Sequence, residues 1–374
     1  MRSVIISDLH LGAASRADLL RRGVVRERLQ PALAGADRIV LLGDVIDMRD
    51  RPLADALQAA QPFFEDLREN APEAELVIVP GNHDHQLLEP WLQRRRMQGK
   101  PAPIGLEERI SPTGDAVAEI AGWAGRSRTA IAYPGLYLRE DVYATHGHYL
   151  DSHLTTPTFE RLGVGALRRL TRGSGDEPSS PEDYERVQAP LYALLFALAQ
   201  APRAADAAPS SPTPSMRLWR ALGGAAGTAR TVRGRVLGSA VVPGAVKLAS
   251  RAGLGKLSAD LSLPQIGRAG ARAMADVVAA LDVKADHVIF GHTHRRGPLS
   301  PEADPWADWR AGDARLHNSG SWVYSPALIG ADASASAYWP GTLIEVLDAG
   351  DPSARELLNE MTEGEIRDAL RESA

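Results

Sequence analysis

The sequence predicts an α/β fold, and two observations lead to this prediction. Five short runs rich in Val, Ile and Leu each end in Asp, Asn or His, often beside Gly. The first three runs are separated by helix-like stretches, at about 16–34 and 53–70. Such an alternation produces parallel sheets, whose strands share a direction and end at one edge. We therefore expect the polar ends of the five runs to meet at that edge, where α/β folds bind ligands.

Each run has the length and the β-branched content of a buried strand. The five runs are SVIISDLH (3–10), DRIVLLGDVID (37–47), ELVIVPGNHD (75–84), EDVYATHGH (140–148) and DHVIFGHTH (286–294). So many carboxylates and imidazoles at the ends of buried strands would be costly without cations to compensate them. The polar residues concerned are Asp8, His10, Asp44, Asp47, Asn82, His83, Asp84, His85, His146, His148, His292 and His294.

The spacing of these residues favours metal binding. Residues two apart in an extended chain project to the same side, so Asp8 with His10, and His292 with His294, can each offer two groups to one site. The chain contains no Cys, so any metal must be held by nitrogen and oxygen. Asp and neutral His suit Mn, Fe or Zn, and an Asn amide oxygen adds a further ligand. Each motif alone could be a polar turn, but all five in order, each after a predicted strand, indicate a metal site.

Composition bounds the class of protein. A chain of 374 residues exceeds the size at which one core usually suffices, and 44% hydrophobic with 24% charged residues is typical of a soluble globular protein. The absence of Cys excludes disulfides and fits a reducing compartment. A net charge of −5 shows no basic excess of the kind that nucleic-acid-binding proteins have. No signal-peptide pattern or apolar run of about 18 residues is present, so we expect a cytoplasmic protein.

The five motifs resemble those of the calcineurin-like metallophosphoesterases, whose pattern is DxH, GDxxD, GNHD, His followed by Gly, and GHxH. They occur here as DLH (8–10), GDVID (43–47), GNHD (81–84), HG (146–147) and GHTH (291–294). The resemblance covers about 1–155 and 283–348. It implies a two-sheet β-sandwich flanked by helices, with a site for two metal ions at the sheet edge. We expect a catalytic domain formed by 1–155 and 283–374.

The resemblance also implies roles for individual residues. The two divalent ions would be Mn, with Fe or Zn as alternatives, and Asp44 would bridge them. His83 would not bind metal; it would protonate the leaving oxygen, with Asp84 orienting its ring and Asp47 supporting the site. The first ion would be held by Asp8, His10 and His294, and the second by Asn82, His146 and His292. Pocket-wall or hydrogen-bonding roles are expected for His85, His148 and His153. His317 is expected near the rim, and Asn318 and Ser319 are expected to contact substrate or to form a turn.

Further short motifs narrow the resemblance. DLHLG, THG, GHTHR and NSGSWV are most similar to the bacterial UDP-2,3-diacylglucosamine pyrophosphohydrolases. This similarity implies hydrolysis of a phosphodiester or pyrophosphate bond in a lipid-linked or nucleotide-containing substrate. SDLHLG also occurs in repair nucleases, so a nuclease or a cyclic-nucleotide phosphodiesterase remains an alternative, although a nucleic-acid partner is not favoured. A non-catalytic scaffold of the same fold would show eroded ligand motifs, and here every motif is intact.

The stretch 156–282 matches no motif, and we predict an inserted, helical, basic cap with flexible loops. From 207 to 259 it contains eight basic residues and no acidic one. One interpretation is a solvated basic segment. The other is a cap that offers apolar surface to acyl chains and cations to phosphates, or to an anionic membrane at the inner face of the cell. The basic residues are Arg217, Arg220, Arg230, Arg233, Arg235, Lys247, Arg251 and Lys256.

Overall fold

A computed structural model describes residues 1–125, 128–155, 177–201, 263–300, 308–329, 333 and 336–371. Within these residues the protein is a mixed α/β structure with a curled sheet of twelve strands and eight α-helices. The basic segment 207–259 lies outside the described residues. So do 171–176 and 202–215, which form most of the two loop-like tracts, 171–181 and 201–215, predicted on either side of the helix at 181–200.

Five of the strands coincide with the predicted runs, and these five are apolar because their side chains are buried on both faces of the sheet. The described residues form twelve strands in all. They are β1 (Ser3–Ile6), β2 (Arg38–Leu41), β3 (Glu75–Ile78), β4 (Glu107–Ile110), β5 (Thr129–Arg139), β6 (Val142–Thr145), β7 (His287–Phe290), β8 (Arg296–Gly297), β9 (Arg310–Ala311), β10 (Ala314–Ser319), β11 (Thr342–Val346) and β12 (Ser353–Glu356). The order along the sheet is β12-β11-β1-β2-β3-β5-β6-β7-β10-β8, with β4 beside β5 and β9 beside β10.

The eight α-helices lie between and beyond these strands. They are α1 (Gly23–Leu33), α2 (Leu53–Asn70), α3 (Glu89–Met97), α4 (Asp115–Ala124), α5 (Pro181–Gln200), α6 (Leu263–Ala280), α7 (Pro326–Ile329) and α8 (Glu363–Arg371). The predicted helix at 53–70 is α2. The stretch predicted at 16–34 instead divides into a short 3₁₀ turn at Leu19–Arg21 and then α1.

Strand β5 makes the sheet continuous. Its first residues pair in parallel with β3, as Thr129 does with Leu76, and its later residues pair antiparallel with β6, as Gly135 does with Thr145. The sheet therefore contains two parallel groups, β1-β2-β3 and β6-β7-β10, joined through β5. This differs from the single parallel set that the alternating pattern predicted, and hydrogen bonds through β5 connect the strands that the resemblance would divide between two sheets.

The curl of the sheet brings the two parallel groups together around a shared apolar cluster. Val, Ile, Leu and Ala side chains from β1, β2, β3, β5, β6, β7 and β11 all belong to it, including Ile5, Val40, Val77, Val142 and Ile289. Removing such a side chain from water contributes about 1.5–3 kcal/mol each. The opposite face of the sheet is covered by helices, among them α2, which buries Ala56, Ala60, Phe63, Phe64 and Leu67 at helical spacing.

Helix α5 has a well-formed start. Ser180 precedes it in an extended conformation and its side chain accepts a hydrogen bond from the backbone nitrogen of Asp183, while Pro181 occupies the first turn. Glu182 and Asp183 place negative charge at the positive end of the helix dipole. None of the helices in the described ranges combines the length and the apolar character that crossing a bilayer would require.

Candidate metal centre

The loops that follow β1, β2, β3, β6 and β7 meet at one place. The backbone nitrogen of Asp8 donates to Gly43 O at 3.0 Å, and that of His83 donates to Asp44 Oδ1 at 2.8 Å. On the other side, the backbone nitrogen of His292 donates to Asp8 Oδ2 at 3.0 Å. The five motifs therefore form one site, although their strands belong to two parallel groups.

Backbone strain is concentrated in this site. Among the described residues, seven that are not glycine have a positive φ, and five of the seven carry predicted ligands. Such a conformation costs about 1–3 kcal/mol for a residue with a side chain, and it persists where the surroundings impose it, often at functional sites. The five ligand residues, with φ in degrees, are Asp8 (54), His10 (47), Asp44 (51), His292 (65) and His294 (57).

The glycines of the motifs leave room for the ligands. A Cβ at Gly81 would overlap Asp44 Oδ1 and the ring of His146. A Cβ at Gly291 would overlap Asp8 Oδ2 and the side chain of Ser7. The Gly in GNHD and in GHTH is therefore required because the backbone passes directly against the ligand side chains.

Among the residues that the structure describes, three groups of side-chain atoms converge closely enough to hold cations, each with its atoms within 4.8 Å of one another. His10 Nε2 lies 3.1 Å from His294 Nε2, which lies 3.5 Å from Asp8 Oδ1. Asp44 Oδ2 lies 3.6 Å from His10 Nε2 and 3.4 Å from His146 Nε2. The groups are Asp8, His10 and His294; His10, Asp44 and His83; and Asp44, His146 and His292.

Hydrogen bonds on the outer side of two imidazoles fix which nitrogen faces the site. His146 Nδ1 donates to Leu42 O at 2.9 Å, so its Nε2 atom faces inward. His292 Nε2 donates to Asp151 Oδ1 at 3.0 Å, which leaves Nδ1 facing inward. Such outer partners are typical of metal-binding histidines, because they set the tautomer and the ring orientation.

Asn82 completes a group made of acceptors. Its amide oxygen lies 3.1 Å from His292 Nδ1 and 3.2 Å from both Asp44 Oδ2 and His146 Nε2. Rotating the amide would turn its nitrogen inward and its oxygen towards Arg49 Nη1, at 2.6 Å. A cation at the centre would select the oxygen-inward orientation, in which the amide nitrogen faces Arg49 Nη1. One carboxylate oxygen, one amide oxygen and two imidazole nitrogens directed at one point are a donor set that fits a divalent cation.

Without a cation, protons bound to the imidazoles can balance the negative charge of the buried carboxylates. Burial disfavours the charged form of His10, but its hydrogen bond to Asp47 and the nearby carboxylates outweigh burial and raise its pKa to about 9. Burial opposes protonation of His146 as well, yet Asp44 raises its pKa to about 10. His294 differs, because burial lowers its pKa to about 4 despite the charge of Asp8. The centre therefore holds excess negative charge, which a cation would neutralise.

His83 lies beside this centre, but its partner is not the predicted one. His83 Nδ1 lies 3.1 Å from Asp47 Oδ1, and the ring meets that of His10 edge-on at 4.5 Å. The prediction that Asp84 orients His83 is wrong, because both oxygens of Asp84 are taken by backbone groups. Gly81 N donates to Asp84 Oδ1 at 2.6 Å and Val45 N to Asp84 Oδ2 at 2.7 Å. Asp84 thus ties the GNHD loop to the GDVID loop.

Two groups that support the site were missed by sequence reasoning. Asp151, which accepts a hydrogen bond from His292, comes five residues after His146 in HGHYLD. A carboxylate about one helical turn beyond the HG motif was the sequence signal that could have indicated it. Ser7 Oγ donates to Asp8 Oδ2 at 2.5 Å and lies 2.7 Å from Ser319 Oγ. The serine that precedes the DLH motif was the signal for this contact.

The remaining predicted residues are divided between the site and the scaffold. Asn318 Nδ2 donates to Gly291 O at 2.9 Å, so it shapes the GHTH loop. His317 contacts His287, with Nε2 and Nδ1 3.0 Å apart, instead of the metal ligands. His85, His148 and His153 are engaged with tyrosines and a glutamate near the site, as hydrogen-bonding and packing groups.

A comparison with protein families agrees with this geometry. Residues 1–173 match the family model described as calcineurin-like phosphoesterase. The matched span contains the first four motifs, and His292 and His294 lie beyond it. The match supports the superfamily that the motifs indicated, and the protein is a metal-dependent phosphoesterase hydrolase. A comparison with curated proteins gave no significant match.

Proposed function

We propose that the protein is a dinuclear-metal hydrolase of phosphodiester or pyrophosphate bonds in lipid-linked or nucleotide-containing substrates. The observation that carries the proposal is the position of Asp44. Its Oδ2 atom lies within 3.6 Å of one inward-facing nitrogen in each of two ligand groups, His10 Nε2 and His146 Nε2. A carboxylate shared in this way is suited to bridge two cations.

The residues fit two divalent ions of the Mn, Fe or Zn type, with Mn as our proposal. The first would be held by Asp8, His10, His294 and Asp44, and the second by Asp44, Asn82, His146 and His292. When bound, such a pair supplies a nucleophile at neutral pH and neutralises charge on a phosphoryl group. The ligand assignment places His83 outside both sets.

The chain's own residues would then act on the substrate around this centre. Asp47 holds Nδ1 of His83, which leaves Nε2 of a half-buried ring as the atom that can give a proton to the leaving oxygen. Asp47 also accepts from His10 Nδ1 at 3.4 Å, so one carboxylate orients both a ligand and the proton donor. The burial of Asp8 and Asp44 keeps water away from the carboxylates and strengthens their attraction for cations.

Asp44→Asn tests the shared position. The amide keeps the shape but removes the charge that both cations would use, so we expect hydrolysis of a small aryl phosphodiester to fall to background. Metal content, measured by elemental analysis, should fall well below two ions per chain. Asp313→Asn, which changes a carboxylate in the turn between β9 and β10, is the control. Unchanged activity and metal content in Asp44→Asn would contradict the dinuclear proposal.

The substrate class rests on sequence motifs. The similarity of DLHLG, THG, GHTHR and NSGSWV to the UDP-2,3-diacylglucosamine pyrophosphohydrolases favours a lipid-linked pyrophosphate. A screen of metal-loaded protein against nucleotide-lipids, cyclic nucleotides and single-stranded DNA separates this class from the phosphodiesterase and nuclease alternatives. We also propose that 207–259 binds anionic phospholipid, at the cytoplasmic face of the membrane, because of its eight basic residues.

A further inference from the structure

A buried carboxylate outside the ligand set connects helix α5 to the metal centre. Glu185, on the second turn of α5, is 8% exposed and accepts three hydrogen bonds. His85 Nε2 donates to Glu185 Oε2 at 2.8 Å, and Tyr149 OH donates to Oε1 at 3.0 Å. Tyr133 OH also donates to Oε1.

The three donors come from different parts of the chain. His85 begins the short 3₁₀ helix His85–Leu88, which directly follows the GNHD motif. Tyr149 lies in the short helix His148–Ser152, which directly follows the HG motif. Tyr133 lies in the long strand β5. A single carboxylate thus joins the loop of Asn82 and His83 to the loop of His146.

A second contact on the same face of α5 reinforces this connection. Gln188, one turn beyond Glu185, donates through Nε2 to His148 O at 3.3 Å and to Ser152 Oγ at 3.1 Å. Tyr192 OH, a further turn on, donates to Gln188 Oε1 at 3.1 Å. Residues spaced by three and four lie on one face of a helix, so α5 presents a continuous polar strip to the loops.

The contacts of Glu185 also determine the tautomer of His148, a buried histidine two residues from the predicted ligand His146. Because Tyr133 and Tyr149 are buried beside a carboxylate, their pKa values are raised well above the ordinary value and they remain donors. With its proton directed to Glu185, Tyr133 OH can only accept from His148 Nε2, 3.3 Å away. This fixes His148 as the Nε2–H tautomer, with its ring centre 5.6 Å from that of His146.

We propose that Glu185 is a positioning residue that holds the GNHD loop and the HG loop in register, so that α5 is part of the catalytic scaffold. This inference rests on the proposed function for its effect on activity. It goes beyond the expectation that the insertion acts only as a cap. The charge is required because three donors share two oxygens, and a Gln at this position would turn an amide nitrogen towards one of the donors.

Glu185→Gln in the full-length, metal-loaded protein tests the proposal, with Tyr184→Phe as the matched control. Tyr184 is the preceding residue of α5, is buried, and bonds through its hydroxyl to His153 Nε2 at 2.7 Å, outside the Glu185 contacts. We expect faster amide hydrogen exchange in both 82–88 and 146–152 of Glu185→Gln. We expect no change there in the control, because the Tyr184 ring stacks on that of Tyr149 with centres 4.4 Å apart, and Phe keeps this contact. The kcat for an aryl phosphodiester should fall about tenfold, with KM within about twofold.

Tyr149→Phe removes one donor without changing charge and serves if Glu185→Gln does not fold. It should loosen 146–152 while leaving 82–88 protected, since His85 keeps its partner. Unchanged exchange in both loops of Glu185→Gln, or equal changes in Tyr184→Phe, would overturn the proposal. Hydrogen exchange does not depend on turnover, so an enzyme without phosphodiesterase activity would refute the proposed function while this test still decided the role of Glu185.

Discussion

At the scale of single residues, the centre is organised by carboxylates that each serve two partners. Asp44 faces both ligand groups, and Asp47 contacts both His10 and His83. Burial raises the pKa of Asp47, but the neighbouring imidazoles outweigh burial and hold it well below the usual range, so Asp47 stays charged. In the proposed mechanism these carboxylates would couple metal binding to proton transfer by His83, and the two functions can be separated only by substitution at residues outside the ligand set.

The substitution His83→Gln separates metal binding from proton transfer. The substitution removes the proton donor held by Asp47 and leaves the proposed ligands in place. Turnover should fall on the order of 10²–10⁴-fold, with a smaller loss for substrates whose leaving groups need no proton. Metal content should be unchanged. Loss of metal would instead identify His83 as a ligand, an arrangement that its place in a group with His10 and Asp44 permits.

Metal binding should release protons. In the metal-free centre the pKa values of about 9 for His10 and about 10 for His146 mean that both imidazoles are protonated at pH 7. A cation must displace these protons, so its apparent affinity should rise with pH up to that range and fall below it. Calorimetry of Mn²⁺ binding at pH 7 in buffers of different ionisation enthalpy should show a net release of protons as the chain is loaded.

Asp47→Asn provides the comparison for this measurement. Without the Asp47 charge the pKa of His10 should fall towards its ordinary value, because burial is then opposed by fewer carboxylates. Fewer protons should be released at pH 7 than in the unsubstituted protein. Binding that releases no protons in the unsubstituted protein would show that the two imidazoles are neutral before the metal arrives.

At the scale of elements, the motifs could be predicted because their residues follow buried strands directly, where Asp8, Asp44 and Asn82 have little freedom of position. The periodicity of α2 was equally clear, since its apolar side chains repeat at helical spacing. The prediction that all the strands run in parallel was wrong. Apolar runs show that a strand is buried but carry no information on its partner, and so the switch from parallel to antiparallel pairing along β5 was not predictable.

The hydrogen-bond partners of the side chains were less predictable from the sequence than the positions of the motifs in the fold. Asp84 follows His83 in the chain and was expected to contact it, but its carboxylate instead accepts hydrogen bonds from the backbone nitrogens of Gly81 and Val45. Glu185 shows the same limit at a greater distance, because its partner His85 lies 100 residues away in the chain. No local spacing in the sequence indicates such a contact.

At the scale of the whole molecule, charge is divided unevenly along the chain. The segment 207–259 has eight basic residues and no acidic residue over 53 positions, and the remaining chain has a net charge of −13. Helix α5 precedes this segment and contacts the catalytic loops through Glu185 and Gln188. The insertion therefore combines a helix that packs on the metal centre with a basic segment that carries none of the proposed ligands.

This separation predicts the effect of replacing 207–259 by a short Gly-Ser linker. The replacement leaves α5 and all five motifs in place, so the protein should still cleave a small aryl phosphodiester. It should lose salt-sensitive binding to vesicles containing anionic phospholipid, because each basic residue near such a surface contributes about 1 kcal/mol. Activity on a lipid-linked substrate should fall sharply.

A second variant separates the effect of the positive charge of 207–259 from the effect of its length and apolar side chains. Changing the eight basic residues to Gln keeps the length and the apolar side chains of 207–259 but removes its positive field. If charge attracts the membrane, vesicle sedimentation should show the same loss as the linker variant. Vesicle binding that survives both changes would mean that the segment is only a solvated basic stretch, and equal loss of activity on the small and lipid-linked substrates would show that it is needed for folding of the catalytic domain.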